Sequence, residues 1–397
     1  MRIGVVVFVG MELRTASRLD GIPPTVFTRM SALAVRTGSV NLGQGFPDAD
    51  GPEAVREAAV AALRAGANQY APGIGTPGLR RAVADHQRRH YGIDLDPDTE
   101  VVVTTGVTEG VAAALLGLVE PGDEVVLLEP YYDSYAAMLQ VAGAVRRPVT
   151  LRAPDFRLDV AALEAAVTDR TRMILLNSPH NPTGTVLTRV ELEAVATLAR
   201  RHDLLVVTDE VYEHLVFDHH EHVPISTLPG MAERTLTLSS VGKSWSLTGW
   251  KVGWATGPAA LVGAVLAAKQ WLTFTSGAPL QPAVEVALDA HDAWPRELAL
   301  DLASRRDLLV EGLAAVGLPC RPAEGTYFEV TDVAALGWDD ADVFCDALPG
   351  RAGVVAVPMP VLYDTDAGRT QVRWTFSKDR DVIEEGLERL ARADLTA

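Results

Sequence analysis

Two lysines stand eight residues apart in the stretch SSVGKSWSLTGWKVGW, residues 239–254, among tryptophans and glycines. A lysine held in apolar, water-poor surroundings has its charged form disfavoured, which frees its amine to act as a nucleophile. The ordinary alternative is a long stem that covers apolar surface while its head reaches water. Other polar residues follow apolar runs in the same way. EVVVTTGVTEG leaves Gly106, Val107 and Thr108 where a helical pattern begins, and the free N–H groups and dipole of a helix start suit a phosphate. LLVVTDEVY places Asp209 after its apolar run with Tyr212 three residues on, MILLNSPHNPTG puts Asn181 before a proline, and LTLSSVGKSW delivers Ser240 and Lys243. Singly, such residues also serve as caps and turns. Together, an acidic partner, a phosphate cradle, a lysine and a second basic residue are what pyridoxal phosphate requires. The lysine condenses with its aldehyde, and a carboxylate keeps its pyridine nitrogen protonated.

To bring these residues to one place the chain needs a sheet whose strands end together. DEVVLLEP, TRMILLNSP, DLLVVTDE, RTLTLSS and KVGWATG are short apolar runs bounded by turn chemistry. They alternate with helical patterns such as EAVREAAVAALRAG and TRVELEAVATLARRHD, which predicts an α/β fold with a mostly parallel sheet covered by helices on both faces. In such sheets ligands bind outside the carboxyl ends of the strands. The 397 residues exceed what one core usually serves. The expected division is a large domain over 48–284 and a smaller α+β domain formed by 1–47 and 285–397, where long helices surround the strands TYFEVTD and TQVRWTFS.

The formal charge of −17 gives no positive field to draw in nucleic acid or an anionic membrane. Cys320 and Cys345, the only cysteines, lack paired metal spacing and suit a reducing cytoplasm. The opening MRIGVVVFVG is too short to span a bilayer and reads as no export signal; Met11 could be the true start, or the segment could be an edge strand or dimer arm.

From TVFTRMSALA, residues 25–34, to its end the chain resembles the class I/II, fold-type I aminotransferases. VNLGQGFPD, NSPHNPTG, TDEVYEHLVF and GKSWSLTGWKVGW are similar to the branch holding kynurenine, glutamine and methionine aminotransferases and the actinobacterial N-succinyldiaminopimelate aminotransferases. The resemblance implies that Lys243 carries pyridoxal phosphate, Asp209 pairs with the pyridine nitrogen, and Tyr212 and Asn181 bond the ring oxygen. It implies that Val107, Thr108, Ser240 and Lys251 hold the phosphate. Tyr132 of EPYYDSY would stack on the ring, with Tyr131 as the alternative alignment. Tyr70 would reach the phosphate of a neighbouring subunit, making the active site a property of a homodimer. Arg373 of VRWTFSKD and the backbone of Gly45 would receive the substrate's α-carboxylate, for which arginine supplies a fixed bidentate donor. Phe274, Thr275 and Tyr327 are candidates for the pocket wall, the first two from the partner.

Two decoys fail their context. GIGTPG, residues 73–78, matches the dinucleotide pattern but follows no predicted strand. DHHEH, residues 218–222, is contiguous, whereas metal ligands usually come from separated positions, so no metal is expected. His180 reads as a positioning or packing residue. The expected substrates are an L-amino acid and a 2-oxo acid, 2-oxoglutarate by family habit. No arginine stands out as a side-chain clamp for an aspartate substrate. A β-lyase acting on cysteine conjugates and an oxidase are the enzymatic rivals. A transcription regulator built on this fold would need a DNA-binding module that the first 40 or so residues do not offer.

Overall fold

A computed structural model describes residues 16–290 and 292–397; the expectations for MRIGVVVFVG and Met11 lie outside them. Its strands in chain order are β1 (Val40–Asn41), β2 (Val101–Thr104), β3 (Glu124–Glu129), β4 (Val145–Thr150), β5 (Thr171–Asn177), β6 (Leu205–Asp209), β7 (Thr235–Ser240), β8 (Gly253–Thr256), β9 (Phe328–Asp332), β10 (Val354–Val355), β11 (Val357–Pro358) and β12 (Gln371–Thr375).

Seven of them form one sheet in the order β2-β8-β7-β6-β5-β3-β4, parallel except for β8, which runs antiparallel to both neighbours. The inner strands read as near-continuous Val, Ile and Leu because both faces are covered. The alternation of side chains along a strand divides them between two cores. Val125 and Leu127 of β3, Met173 and Leu175 of β5 and Val207 of β6 enter one core, while Val126, Leu128, Ile174, Leu176 and Val206 enter the other. Within this sheet the strand that the sequence reading did not name is β4, VRRPVT, at the sheet edge. Its arginines and Pro148 erase the apolar signature, and an edge is where a sheet tolerates a missing donor.

The helices start where local chemistry lets them. Thr188 and Glu191 form a reciprocal capping box ahead of Arg189–Arg201. Asp159 accepts from two amides at the start of Val160–Ala166. Outside the large sheet, β9, β11 and β12 form an antiparallel sheet with β12 in the middle, and β1 pairs in parallel with β10. The chain before residue 47 therefore packs with the chain after 285, and this joins Gly43 and Gly45 to the strand that carries Arg373. Among the described residues no helix is long and apolar enough to cross a membrane.

The helices Gly106–Leu118 and Ala259–Lys269 approach so closely that a Cβ on Gly117 would lie 2.6 Å from the Ala264 carbonyl oxygen. For Gly117→Ala, helix propensity alone predicts a gain of about 1 kcal/mol. Overpacking against backbone, which cannot swing aside, costs about 1–3 kcal/mol. We expect a net loss, seen as a lower denaturation midpoint; a higher midpoint would contradict the close approach.

Candidate active site

At the carboxyl ends of the large sheet lies a cavity of about 310 Å³. The turn after β2 feeds Gly106, Val107 and Thr108 into a helix start; the turn after β3 contributes Tyr132; β5 leads to Asn181, β6 ends at Asp209 and leads to Tyr212, and β7 ends at Ser240 before Lys243. Gly106 has φ +72°, and a Cβ there would lie 3.0 Å from Lys251 Nζ. A Cβ on Gly253 would in turn lie 3.1 Å from the Gly106 backbone. Two bare backbones in contact thus set Lys251 against the helix start.

The expectation of a buried ammonium at 239–254 is corrected. Val241, Trp245, Leu247, Val252 and Trp254 pack into a core, while Lys243, half-buried, and Lys251, exposed, line the cavity from the opposite side of the segment. Lys243 Nζ stands 5.7 Å from the Tyr212 ring and 5.8 Å from that of Tyr327. Lys251 has its pKa lowered, first by desolvation and then by Lys243.

Asp209 is buried and accepts hydrogen bonds from the Tyr135 hydroxyl at 2.6 Å and the Val211 amide at 3.2 Å. Burial pushes its carboxyl up to about 6, against the opposing pull of those two donors and of Lys243. Asn177 ties this strand end to the next loop: its side-chain amide donates to the Asp209 carbonyl, and its Oδ1 accepts from the Asn181 amide, both at 2.8 Å. Tyr212 is buried edge-on to Tyr327 at 5.2 Å, and desolvation raises its phenol well above the usual value.

Arg373, 1% exposed at the centre of β12, donates from Nη1 to Asn181 Oδ1 and from Nη2 to the Gly43 carbonyl, both at 2.9 Å. Its guanidinium lies 3.9 Å from the Phe328 ring centre and 4.5 Å from that of Phe27. Its buried Nε has no partner. Burial lowers its pKa to about 10, so it remains a cation near neutral pH. Gly45 admits no side chain, because a Cβ would lie 2.4 Å from the Phe328 ring.

Of the residues expected to form the site, Gly45, Val107, Thr108, Tyr132, Asn181, Asp209, Tyr212, Ser240, Lys243, Lys251 and Arg373 line the cavity. Tyr131 does not, so Tyr132 is the aromatic available to a ring there. Tyr327, expected at the wall, lies beneath it, fully buried with its hydroxyl donating to the Gly45 carbonyl at 2.9 Å; Phe328 takes the wall position. Phe274, Thr275 and Tyr70 lie outside this chain's cavity, with Tyr70 82% exposed and its ring edge-on to Phe274 at 5.2 Å. His180 is buried, bonded to Thr183 at 2.8 Å, and held neutral by desolvation that lowers its pKa to about 3. GIGTPG runs as a loop into the helix that starts at Pro77.

Sequence reasoning missed Tyr135, Asn177, Phe27 and Phe328. Tyr135 had a signal, since it stands one helical turn past Tyr132 in EPYYDSY. Phe27 had none. The charged lining residues are Lys243, Lys251 and Arg373 against Asp209, a surplus of two positive charges within a chain of charge −17.

The sequence pattern of the family described as aminotransferase class I and II matches residues 37–390. The probable N-succinyldiaminopimelate aminotransferase DapC of Mycobacterium tuberculosis is 53% identical over 389 residues, covering 95% of this chain and 98% of that protein. The methionine aminotransferase of Escherichia coli is 37% identical over 374 residues, covering 94% and 97%. The solved structure of N-succinyldiaminopimelate aminotransferase from Mycobacterium tuberculosis superposes with a TM-score of 0.93, covering 96% of this chain and 100% of that one, at 53% identity.

A buried carboxyl whose pKa rises on folding favours the folded state only while protonated; that contribution is present below its unfolded value and is lost as pH rises through the folded one. For Asp209 the window runs from its ordinary value of 3.8 up to about 6. At roughly 1.4 kcal/mol per unit, the ligand-free protein loses on the order of 3 kcal/mol across it. Asp209→Asn should therefore raise the urea midpoint of the ligand-free protein at about pH 8, with the gap closing near pH 4. A lower midpoint at both pH values would show that the carboxylate is stabilising.

Proposed function

The chain belongs to the class I and II aminotransferases, which work with pyridoxal phosphate, and from that premise we propose that it exchanges an amino group between N-succinyldiaminopimelate and the glutamate/2-oxoglutarate pair. The observation that carries the reading is the charge pattern of the cavity. Lys251 at the helix start suits a phosphate, Arg373 suits a carboxylate, Lys243 supplies the amine, and the single buried anion, Asp209, is left for a protonated ring nitrogen. The unpartnered Nε of Arg373 suits an incoming carboxylate oxygen. The similarity to the mycobacterial enzyme supports the choice of amino donor.

When bound, pyridoxal phosphate supplies an aldehyde that condenses with amines and a ring that takes up the electrons released at the substrate's α-carbon. The chain's residues do the rest. The Val107 and Thr108 amides, the Ser240 hydroxyl and Lys251 hold the phosphate at a helix start. Asp209, kept in place by Tyr135 and Val211, keeps a proton on the ring nitrogen, which in turn repays the cost of burying its charge. Arg373 can only donate, so it occupies Asn181 Oδ1 and leaves the amide Nδ2 to join Tyr212 as a donor to the ring oxygen. Tyr132, which lines the cavity, would stack on the ring. Arg373 grips the substrate's α-carboxylate while the bare backbone of Gly45 lets it approach. Lys243 Nζ would take the proton from the substrate's α-carbon and return it to the carbon of the cofactor's aldehyde.

We place Tyr70, Phe274 and Thr275 at the partner's site in a homodimer. Tyr70, Trp271 and Phe274 are large exposed side chains at 82%, 83% and 54%, on a face that a second subunit would cover. Residues 48–284 serve as the large domain and 1–47 with 285–397 as the small one. Cys320 and Cys345 are free thiols, which agrees with the cytoplasm.

The visible spectrum of the purified protein, taken before and after L-glutamate, tests the half-reaction: a yellow form should convert to the pyridoxamine form. Lys243→Ala should keep the fold and lose turnover, and near-normal transamination by that variant would sink the assignment. Arg373→Lys removes the bidentate fork, and KM for both amino acid and oxo acid should rise at least about tenfold. Specificity is read separately. N-succinyldiaminopimelate should exceed methionine and kynurenine in kcat/KM by at least roughly tenfold, or about 1.4 kcal/mol; parity would remove the named substrate and leave the transaminase standing.

A further inference from the structure

One group of imidazoles takes no part in the cavity. His86 and His90 stand four residues apart on one face of the helix Pro77–Tyr91, and His214 comes from the segment after β6. One ring nitrogen from each lies within 4.8 Å of the others, and His86 Nε2 and His214 Nε2 are 2.8 Å apart. We propose that His86, His90 and His214 form a binding site for a divalent transition-metal ion of the zinc, cobalt and nickel class.

Packing accounts for part of this arrangement. His86 lies edge-on to Trp245 at 6.0 Å and to Trp254 at 6.5 Å, as aromatic rings in a core do. It does not account for nitrogen facing nitrogen. Two neutral imidazoles in that contact share one proton, so one ring donates and the other accepts. His86 is fully buried and its Nδ1 has no partner, so the ring makes its one polar contact through Nε2, towards His214. A cation between the rings would use both lone pairs.

The dimensions suit one. Nitrogen ligands about 2.0–2.1 Å from a metal lie roughly 3.0–3.4 Å from each other. The close pair needs to open by a few tenths of an ångström, and the third ring to swing in. Ligating histidines commonly turn their other nitrogen towards a carboxylate. Asp292 stands 3.6 Å from His90 Nε2, and it also receives the neighbouring Arg89 at 3.2 Å, which pairs that cation. A bound ion would tie the helix Pro77–Tyr91 to a segment two residues beyond Tyr212.

Titration of the cofactor-loaded protein with Co²⁺, followed by visible ligand-field absorption, and Zn²⁺ competition against a chromogenic chelator test the site. One ion per chain is expected, with Zn²⁺ raising the thermal midpoint. Removing a residue that merely orients a ligand costs ~10–100-fold in affinity, so His90→Gln and His214→Gln should each cost at least about a hundredfold. His90 is exposed, so its variant should fold, as circular dichroism would verify. The double variant His219→Gln/His220→Gln should bind as the unaltered protein does. Absence of saturable binding, binding retained in folded His90→Gln, or loss in the His219/His220 variant would each overturn the site.

Discussion

A carboxylate kept away from water at the end of β6 sets the terms for the rest of the site. Desolvation raises Asp209 to about 6 even though two donors, Tyr135 and Val211, pull against it. An uncompensated charge there is costly, while a charge met by a fixed opposite charge is not. The cavity therefore stores a demand for a cation opposite Asp209, and a protonated ring nitrogen meets it. Asn177 extends the constraint, because the side chain that bonds the Asp209 carbonyl also fixes the Asn181 loop, and Asn181 fixes Arg373. One chain of contacts thus runs from the large sheet to the small one. Displacing Asp209 would disturb the carboxylate grip on the far side of the cavity.

The three cations come from separate elements, which is why the chain can hold them near one another. Lys243 sits on a one-turn helix, Lys251 in a left-handed turn at φ +56°, and Arg373 in a strand. Each lies against something apolar or glycine-bare: Lys243 Nζ near the Tyr212 and Tyr327 rings, Lys251 beside Gly106, Arg373 between the Phe27 and Phe328 rings. Mutual repulsion is then borne by packing formed elsewhere. The site resists collapse of its cationic side chains onto the nearest carboxylate, so they stay available to ligands.

Much of this was legible because strand ends carry chemistry and strand interiors do not. The residues after β2, β5, β6 and β7 announce themselves by polarity following an apolar run, and family resemblance gave them roles. What escaped has physical reasons. Lys243 and Lys251 looked buried because composition averages over a segment, whereas the fold sends its tryptophans to one side and its lysines to the other. Tyr327 and Phe328 are neighbours whose rings touch at 4.8 Å and both pack on Tyr212, so choosing the wall between them needed the tertiary packing at the start of β9. Phe27 reaches the cavity only because the N-terminal region packs beside β12, a contact across more than 300 residues that no local pattern encodes.

The histidines repeat the lesson with the opposite sign. DHHEH drew attention as a contiguous cluster, yet the fold disperses it: Asp218 pairs with Arg306, His222 bonds Glu210, and His220 stands 3.9 Å from Glu324. HQRRH, with its imidazoles one helical turn apart, is the quieter pattern, and its third member lies 128 residues away from His86. In DHHEH only the neighbouring His219 and His220 rings stay close, at 4.4 Å, while the other side chains turn to separate partners, whereas a helix brings residues four apart together. Spacing matched to the secondary structure is therefore a better guide to converging ligands than local density. The same rule separates the cavity's constellation from GIGTPG: residues meet where elements end together, not where the sequence crowds them.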